Sequence, residues 1–168
     1  MCYRLLLASP LTLSEVRSML PEGAAADLAP PEQRDTLLAR HPPAQTVVVL
    51  TRGGCACDLV GQRPEDDGVL RSKYRSLEAT RADMIEALEQ HRRPGSRLRY
   101  PVDWPSAIAG FVAEHARNAG EALYYLRFSA RPGSDFRWPN EQTTITASAV
   151  RAAPRSWLLE ERPTFVVP

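Results

Sequence analysis

The residues of this chain best suited to chemistry are its three cysteines, Cys2, Cys55 and Cys57. Cys55 and Cys57 are separated by one residue in a segment, 55–60, that we expect to be a β-strand, so both side chains project from the same face. Gly53-Gly54 precedes them and leaves turn N–H groups free to stabilise thiolate charge. Two or three thiolates suit Cu(I), and three with a fourth ligand suit Zn²⁺. The pattern therefore predicts a soft-metal site.

A fourth ligand would complete such a site, and Asp58 and His41 are the two candidates in the chain. Asp58 directly follows Cys57, so it points to the opposite face of the predicted strand. His41 lies in a loop before the next predicted strand. An external ligand is the third alternative. Three thiolates with an open position would suit a catalytic or sensory protein, whereas a closed site would be structural.

Whether Cys2 joins the pair depends on the order of the strands. If the first strand lies antiparallel beside the predicted strand 46–51, or parallel beside 55–60, Cys2 falls at the end of the sheet where Cys55 lies. In a ferredoxin-like order, Cys2 instead falls opposite the far end of the Cys55 strand, roughly 10–15 Å away. The sequence leaves both arrangements open.

Two short motifs carry a resemblance. The opening M-C-Y-R of residues 1–4 and the G-C-A-C of residues 54–57 resemble a group of small bacterial proteins of unknown function that begin M-C-Y-R and carry a G-C-x-C hairpin. In those proteins the hairpin reads G-C-G-C-G, so Ala56 and Asp58 stand here in place of two glycines. The resemblance implies that the three cysteines act together, and it implies no reaction.

Other interpretations of the cysteines stay open. They fit the core of a non-catalytic protein-interaction domain, because a buried cysteine packs as a small hydrophobe. They also fit a thiol-dependent redox protein or enzyme, although the sequence has no C-x-x-C motif at a helix start to lower a thiol pKa. Removal of Met1 would make Cys2 an N-terminal nucleophile with its own α-amine as base.

The balance of charge limits the partners of this protein. Its 168 residues carry 21 Lys and Arg against 20 Asp and Glu, a formal net charge of +1. Nucleic acids and anionic lipids are bound by clustered cations, so we expect neither a nucleic acid nor a membrane as partner. The sequence has neither a P-loop nor a dinucleotide fingerprint, so we expect no nucleotide cofactor. The N-terminal apolar run is too short for a signal peptide or a membrane span. We therefore expect a cytoplasmic protein, and a protein partner or a homodimer stays open.

The elements that must position these residues can be predicted from local patterns. The predicted strands are 3–8, 46–51, 55–60, 122–130 and 142–150, with a short edge strand at 164–167. Four helices are predicted. The first follows the capping box at Thr12 and Glu15, the second takes up part of 32–40, the third covers 72–93, and the fourth runs from Asp103 to Asn118. His115 lies on the apolar side of the last helix, where we expect it to pack in the core.

This order of elements predicts an α+β fold: a two-layer sandwich with a mostly antiparallel sheet of about five strands and two to three main helices. A ferredoxin-like core is the nearest named topology. The length fits a single globular domain over residues 1–168, since domains have about 150 residues. The tail, residues 151–168, is apolar enough that we expect it to pack on that domain.

Overall fold

The structure is a computed structural model that describes residues 2–52, 56, 59, 104–129 and 138–168, with only the backbone described for Cys2 and Ser129. All of these residues belong to one compact unit formed by Met1–Gly61 and Asp103–Pro168. The helix predicted at residues 72–93 lies outside the described residues. The single domain over the whole chain therefore remains a prediction.

Six strands of the described chain form one sheet. They are β1 (Cys2–Ser9), β2 (Ala24–Leu28), β3 (Thr46–Arg52), β4 (Ala122–Ser129), β5 (Thr143–Thr146) and β6 (Thr164–Val167). Their order across the sheet is β2-β3-β1-β4-β6-β5. Every pairing is antiparallel except that of β5 with β6. The mostly antiparallel sheet of an α+β fold is thus confirmed, with one strand more than the five expected.

Four helices accompany the sheet in the described residues. They are α1 (Leu13–Ser18), α2 (Pro31–Arg40), α3 (Trp104–Ala119) and α4 (Ala147–Ala152). The predicted capping box begins α1: the Thr12 amide donates to the Glu15 carboxylate at 2.8 Å, and the Glu15 amide donates to Thr12 Oγ1 at 3.3 Å. These bonds satisfy amide groups that a helix start leaves without partners.

The core lies on both faces of the central strand β1, because successive side chains of a strand point to opposite faces. Leu5 and Leu7 pack with Ile108 of α3 on one face. Leu6 packs with Leu37 of α2 on the other face. All five side chains are at most 1% exposed. The tail is also part of the fold, since Trp157 and Leu158 are buried in the α3 layer, as predicted.

The strand β2 was not predicted from the sequence. Pro21, Gly23 and three consecutive alanines are typical of a loop, since alanine and glycine are depleted in strands. The segment becomes a strand because β3 offers it a free edge, along which Ala24 to Leu28 pair with Arg52 to Val48. Tertiary pairing here overrides local preference.

Two further strand predictions need correction. The predicted strand 142–150 divides at Thr146, whose Oγ1 accepts a hydrogen bond from the Ala149 amide at 3.2 Å and so caps α4. The predicted edge strand 164–167 does form, but it lies between β4 and β5 rather than at an edge. The chain places β5 outside it by a parallel pairing.

The sheet order also differs from the ferredoxin-like one. Both neighbours of β1 are antiparallel to it, whereas the split βαβ of a ferredoxin-like core places a parallel strand beside the first. The first strand was predicted to bring Cys2 to the Cys55 end of the sheet if it lay antiparallel beside the strand predicted at 46–51. That antiparallel pairing is the one observed between β1 and β3. The fold class is the predicted α+β class, but the strand order is not ferredoxin-like.

Candidate functional site

Most of the returning strand expected at residues 55–60 lies outside the described residues, and in the described sheet β3 lies between β1 and β2. Ala56 and Leu59 are the two described residues of this segment. The Leu59 amide donates to the Ala56 carbonyl at 3.1 Å, a bond of the spacing found in turns. Both side chains are buried in the α3 layer of the core.

A single backbone bond brings the cysteine-bearing segments together. The Ala56 amide donates to the Tyr3 carbonyl at 2.9 Å, at the point where β1 extends beyond its last pair with β3, Leu5 with Leu50. Cys2 directly precedes Tyr3, and Ala56 stands between Cys55 and Cys57. Each cysteine is therefore one peptide link away from a residue of this bond.

The side chains of the predicted thiolate cluster are not part of this description. Cys55, Cys57 and Asp58 lie outside the described residues, and only the backbone of Cys2 is described. Within the described ranges, no group of three or more His, Cys, Asp or Glu residues could hold a metal ion. The metal site therefore remains a prediction.

A buried cation lies at the Cys2 end of the sheet. Arg52, the last residue of β3, is 8% exposed, and its guanidinium carbon lies 5.2 Å from the ring centroid of Trp104. This is a cation–π contact with the first residue of α3. The buried indole Nε1 of Trp104 has no hydrogen-bond partner in the part of the chain that the structure describes. Arg52 precedes Cys55 by three residues, so the positive charge is close to the cysteines along the chain.

The C-terminal tail is hydrogen-bonded to the same end of the sheet through the carboxylates of Glu160 and Glu161. The Tyr3 hydroxyl donates to Glu160, and the Tyr3 ring packs on Phe128 with centroids 5.1 Å apart. The Glu161 carboxylate accepts from the Tyr125 hydroxyl at 3.0 Å and from the Phe128 amide at 2.5 Å. Glu161 has a φ of 55°, a left-handed conformation that costs energy for a residue other than glycine. These bonds hold the tail against Tyr3 of β1 and against β4.

His41 lies at the opposite end of the sheet. It follows α2 and is 1% exposed. Its Nδ1 lies 3.5 Å from the Glu121 carboxylate and its Nε2 lies 3.2 Å from the Glu121 carbonyl. Glu121 directly precedes β4, whereas Cys2 pairs with Ser129 at the far end of that strand, about 26 Å from Glu121 at about 3.3 Å per residue. His41 and Cys2 are not brought together.

His115 is buried in a polar network, which confirms that it packs in the core. Its Nε2 lies 2.8 Å from Ser9 Oγ and its Nδ1 lies 3.0 Å from the Tyr124 hydroxyl. All three residues are 0% exposed. Burial lowers the pKa of His115 to about 4. Ser, His and Tyr at these distances have the form of a nucleophile with its base, but with no exposure the network is a structural link between β1, α3 and β4.

The partners of His115 were not predicted. Ser9 directly follows the predicted strand 3–8, and Tyr124 lies within the predicted strand 122–130. A histidine on the apolar side of a helix requires hydrogen-bond partners, because buried polar atoms are almost always paired. The signals for these partners in the sequence were a polar residue directly after a predicted strand, Ser9, and a tyrosine within an apolar strand, Tyr124.

No protein-family model, curated protein or solved structure matches this chain. The described helices include none that is long and apolar enough to cross a membrane. The function must therefore be argued from the residues and their arrangement.

Proposed function

We propose that this protein is a small cytoplasmic protein that binds a soft metal ion, Zn²⁺ or Cu(I), through the thiolates of Cys2, Cys55 and Cys57. The observation that carries the proposal is the hydrogen bond from the Ala56 amide to the Tyr3 carbonyl. It joins the two segments that carry the cysteines. In a ferredoxin-like order, these segments would lie apart.

The charge at this end of the sheet supports the same proposal. Thiolates rather than thiols bind metals, and a nearby cation favours the thiolate by lowering the pKa of the thiol. Arg52 is buried three residues before Cys55 and held against Trp104. Its charge would offset part of the cost of collecting two or three anionic ligands in one place.

The fourth ligand is Asp58 or an external molecule. His41 is not included, since both of its ring nitrogens face Glu121 at the other end of the sheet. A Cys₃ set with an exchangeable fourth position would leave the metal able to bind a small ligand, as in catalytic or sensory sites. Coordination by Asp58 would close the site and make it structural.

Metal titration of cysteine variants tests the ligand set. Stripped wild-type protein titrated with Zn²⁺ or Cu(I) against a chromophoric chelator is expected to bind one equivalent. Cys2→Ser and Cys57→Ser should each weaken binding by at least about 100-fold, because loss of even an indirect support of a metal ligand costs 10- to 100-fold.

The control is His41→Gln, a variant of a buried residue outside the proposed site. It should keep the stoichiometry and the affinity of the wild type. Unchanged binding in Cys57→Ser would refute the proposal, and unchanged binding in Cys2→Ser alone would reduce the site to the Cys55 and Cys57 pair.

A further inference from the structure

Two buried histidines flank the end of the sheet that is remote from Cys2. We call this region the histidine corner and define it by Ser9, His41, His115, Glu121 and Tyr124. His115 packs within the α3 layer, against the rings of Phe111 and Tyr124. On the opposite face, His41 packs edge-on against Phe165. Both histidines are at most 1% exposed.

The hydrogen bonds of His115 suit the neutral ring in either tautomer. Ser9 Oγ already accepts from the Leu11 amide at 2.9 Å. If Nε2 accepts the Ser9 hydroxyl proton, Nδ1–H donates to Tyr124. If Nδ1 accepts from Tyr124, Nε2–H donates to Ser9. Each tautomer satisfies both ring nitrogens and leaves one hydroxyl proton without an acceptor among the described residues.

The protonated ring does not fit these partners. Its two N–H groups would donate to Ser9 Oγ and to the Tyr124 hydroxyl, and both hydroxyl protons would then lack an acceptor among the described residues. The network would also contain an uncompensated positive charge. Each buried donor left unpaired costs about 1–3 kcal/mol, and a buried unpaired charge costs more. Protonation and the observed packing are therefore in conflict.

The surroundings of His115 offer no compensating carboxylate in the described chain. It meets Ser9 of β1, Tyr124 of β4 and Phe111 of its own helix, and desolvation alone lowers its pKa. Among the described elements, α4 and β6 also contact α3; Arg151 of α4 is exposed, and Thr164 of β6 is uncharged. By contrast, His41 Nδ1 lies 3.5 Å from the Glu121 carboxylate.

We propose that the histidine corner is a proton-sensitive lock, in which neutral His115 holds the C-terminal part of α3 to β1 and β4 and protonated His115 releases it. The lock is independent of the proposed metal site, which lies at the other end of β1. His41 lies outside this network, since both of its ring nitrogens face Glu121.

The direction and range of the response follow from linkage. The pKa of His115 is about 4 when the corner is closed, and an exposed histidine has a pKa of about 6.5. The lock is therefore complete above about pH 6.5 and weakens as the pH falls from 6.5 toward 4. Between pH 7 and pH 5, the opening equilibrium should shift by roughly 20-fold.

Amide hydrogen exchange of the segment 108–124 tests this proposal. After correction for intrinsic rates, the wild-type protein should lose roughly 20-fold in protection there between pH 7 and pH 5. His115→Gln keeps a hydrogen-bonding amide and cannot be protonated, so its protection should not depend on pH over this range. His41→Gln is the matched control and should keep the wild-type response.

Titration of the His115 ring by NMR in the wild-type protein gives a second measurement that needs no variant. The ring should titrate near pH 4. Titration near pH 6.5 in the closed state would overturn the proposal, as would wild-type protection that does not change with pH. The same 20-fold loss in folded His115→Gln would also overturn it, by assigning the response to another group.

Discussion

At the scale of single residues, buried polar side chains gather at the two ends of β1. Arg52 and Trp104 lie at the end that begins with Cys2, and Ser9 and His115 lie at the other. The first pair places a cation at the Cys2 end of β1, whereas the second pair is uncharged at neutral pH, because the pKa of His115 is about 4. The two ends of one strand therefore differ in chemistry, and substitutions at each end should have different effects.

Removal of the Arg52 charge should make the cysteine thiols harder to ionise. In Arg52→Met the apolar part of the side chain can still pack on Trp104, but the cation that favours thiolates is lost. We expect the thiol titration of metal-free protein, followed by thiolate absorbance, to move to higher pH than in the wild type.

Arg40→Met is the matched control for this substitution. Arg40 also stacks on a tryptophan, with its guanidinium carbon 5.6 Å from the Trp138 centroid, but it ends α2, near His41. Its replacement should leave the thiol titration unchanged. An equal shift in both variants would mean that the effect is not local to the cysteines.

Removal of the Ser9 hydroxyl should destabilise the fold. Ser9→Ala deprives the Leu11 amide and His115 Nε2 of their partner in a fully buried place. We expect the free energy of unfolding in denaturant at pH 7 to fall by about 1–3 kcal/mol.

The control is Ser18→Ala, which removes an exposed hydroxyl that bonds the Glu15 carbonyl at 2.7 Å. It should change the free energy of unfolding by less than about 0.5 kcal/mol. A Ser9→Ala protein as stable as the wild type would show that the network around His115 is energetically unimportant.

At the scale of elements, strand β2 is the feature that most changes the expected surroundings of β3. It occupies the outer edge of β3, so that edge is already paired. The Ala56 amide donates to the Tyr3 carbonyl of β1. The local sequence of β2, alanines after a glycine, gives little indication of this strand.

The turn before β2 gives a test of this element. Gly23 has a φ of 79°, so Gly23→Ala forces a side chain into the left-handed region and should lower the free energy of unfolding by about 1–2 kcal/mol. Gly110 lies inside α3, and no atom of the described residues lies within 4 Å of the place where a Cβ would be added. Gly110→Ala should therefore raise the free energy of unfolding by about 0.5–1 kcal/mol.

Chemical denaturation of both glycine variants measures these changes. Opposite signs would support the turn and the strand that follows it. A Gly23→Ala protein with wild-type stability would contradict the left-handed turn and would put the pairing of β2 with β3 in doubt.

At the scale of the whole molecule, local signals predicted the elements but not their order. The capping box at Thr12, the β-branched run of β3 and the amphipathic pattern of α3 each produced the expected element. The order β2-β3-β1-β4-β6-β5 depends on pairings between distant segments, which periodicity does not encode. The ferredoxin-like order was expected from neighbours in sequence and is wrong, whereas most of the return strand predicted at 55–60 lies outside the described residues.

The same limit applies to the candidate site. Cysteine spacing predicted a cluster, but its convergence depends on one bond between residues 3 and 56. The network around His115 joins residues separated by 106 positions in the sequence. The sequence shows which residues could act together, whereas the pairing of the strands determines whether they come into contact.

The most direct test of the central claim is elemental analysis of tag-free protein purified under reducing conditions, with free thiols counted on the same sample before and after denaturation. We predict close to one equivalent of zinc or copper and thiols that react slowly until the metal is chelated. Protein without metal whose thiols react only after unfolding would contradict the claim and identify the cysteines as core residues of an interaction domain. Metal-free protein with reactive native thiols would contradict it in favour of thiol chemistry.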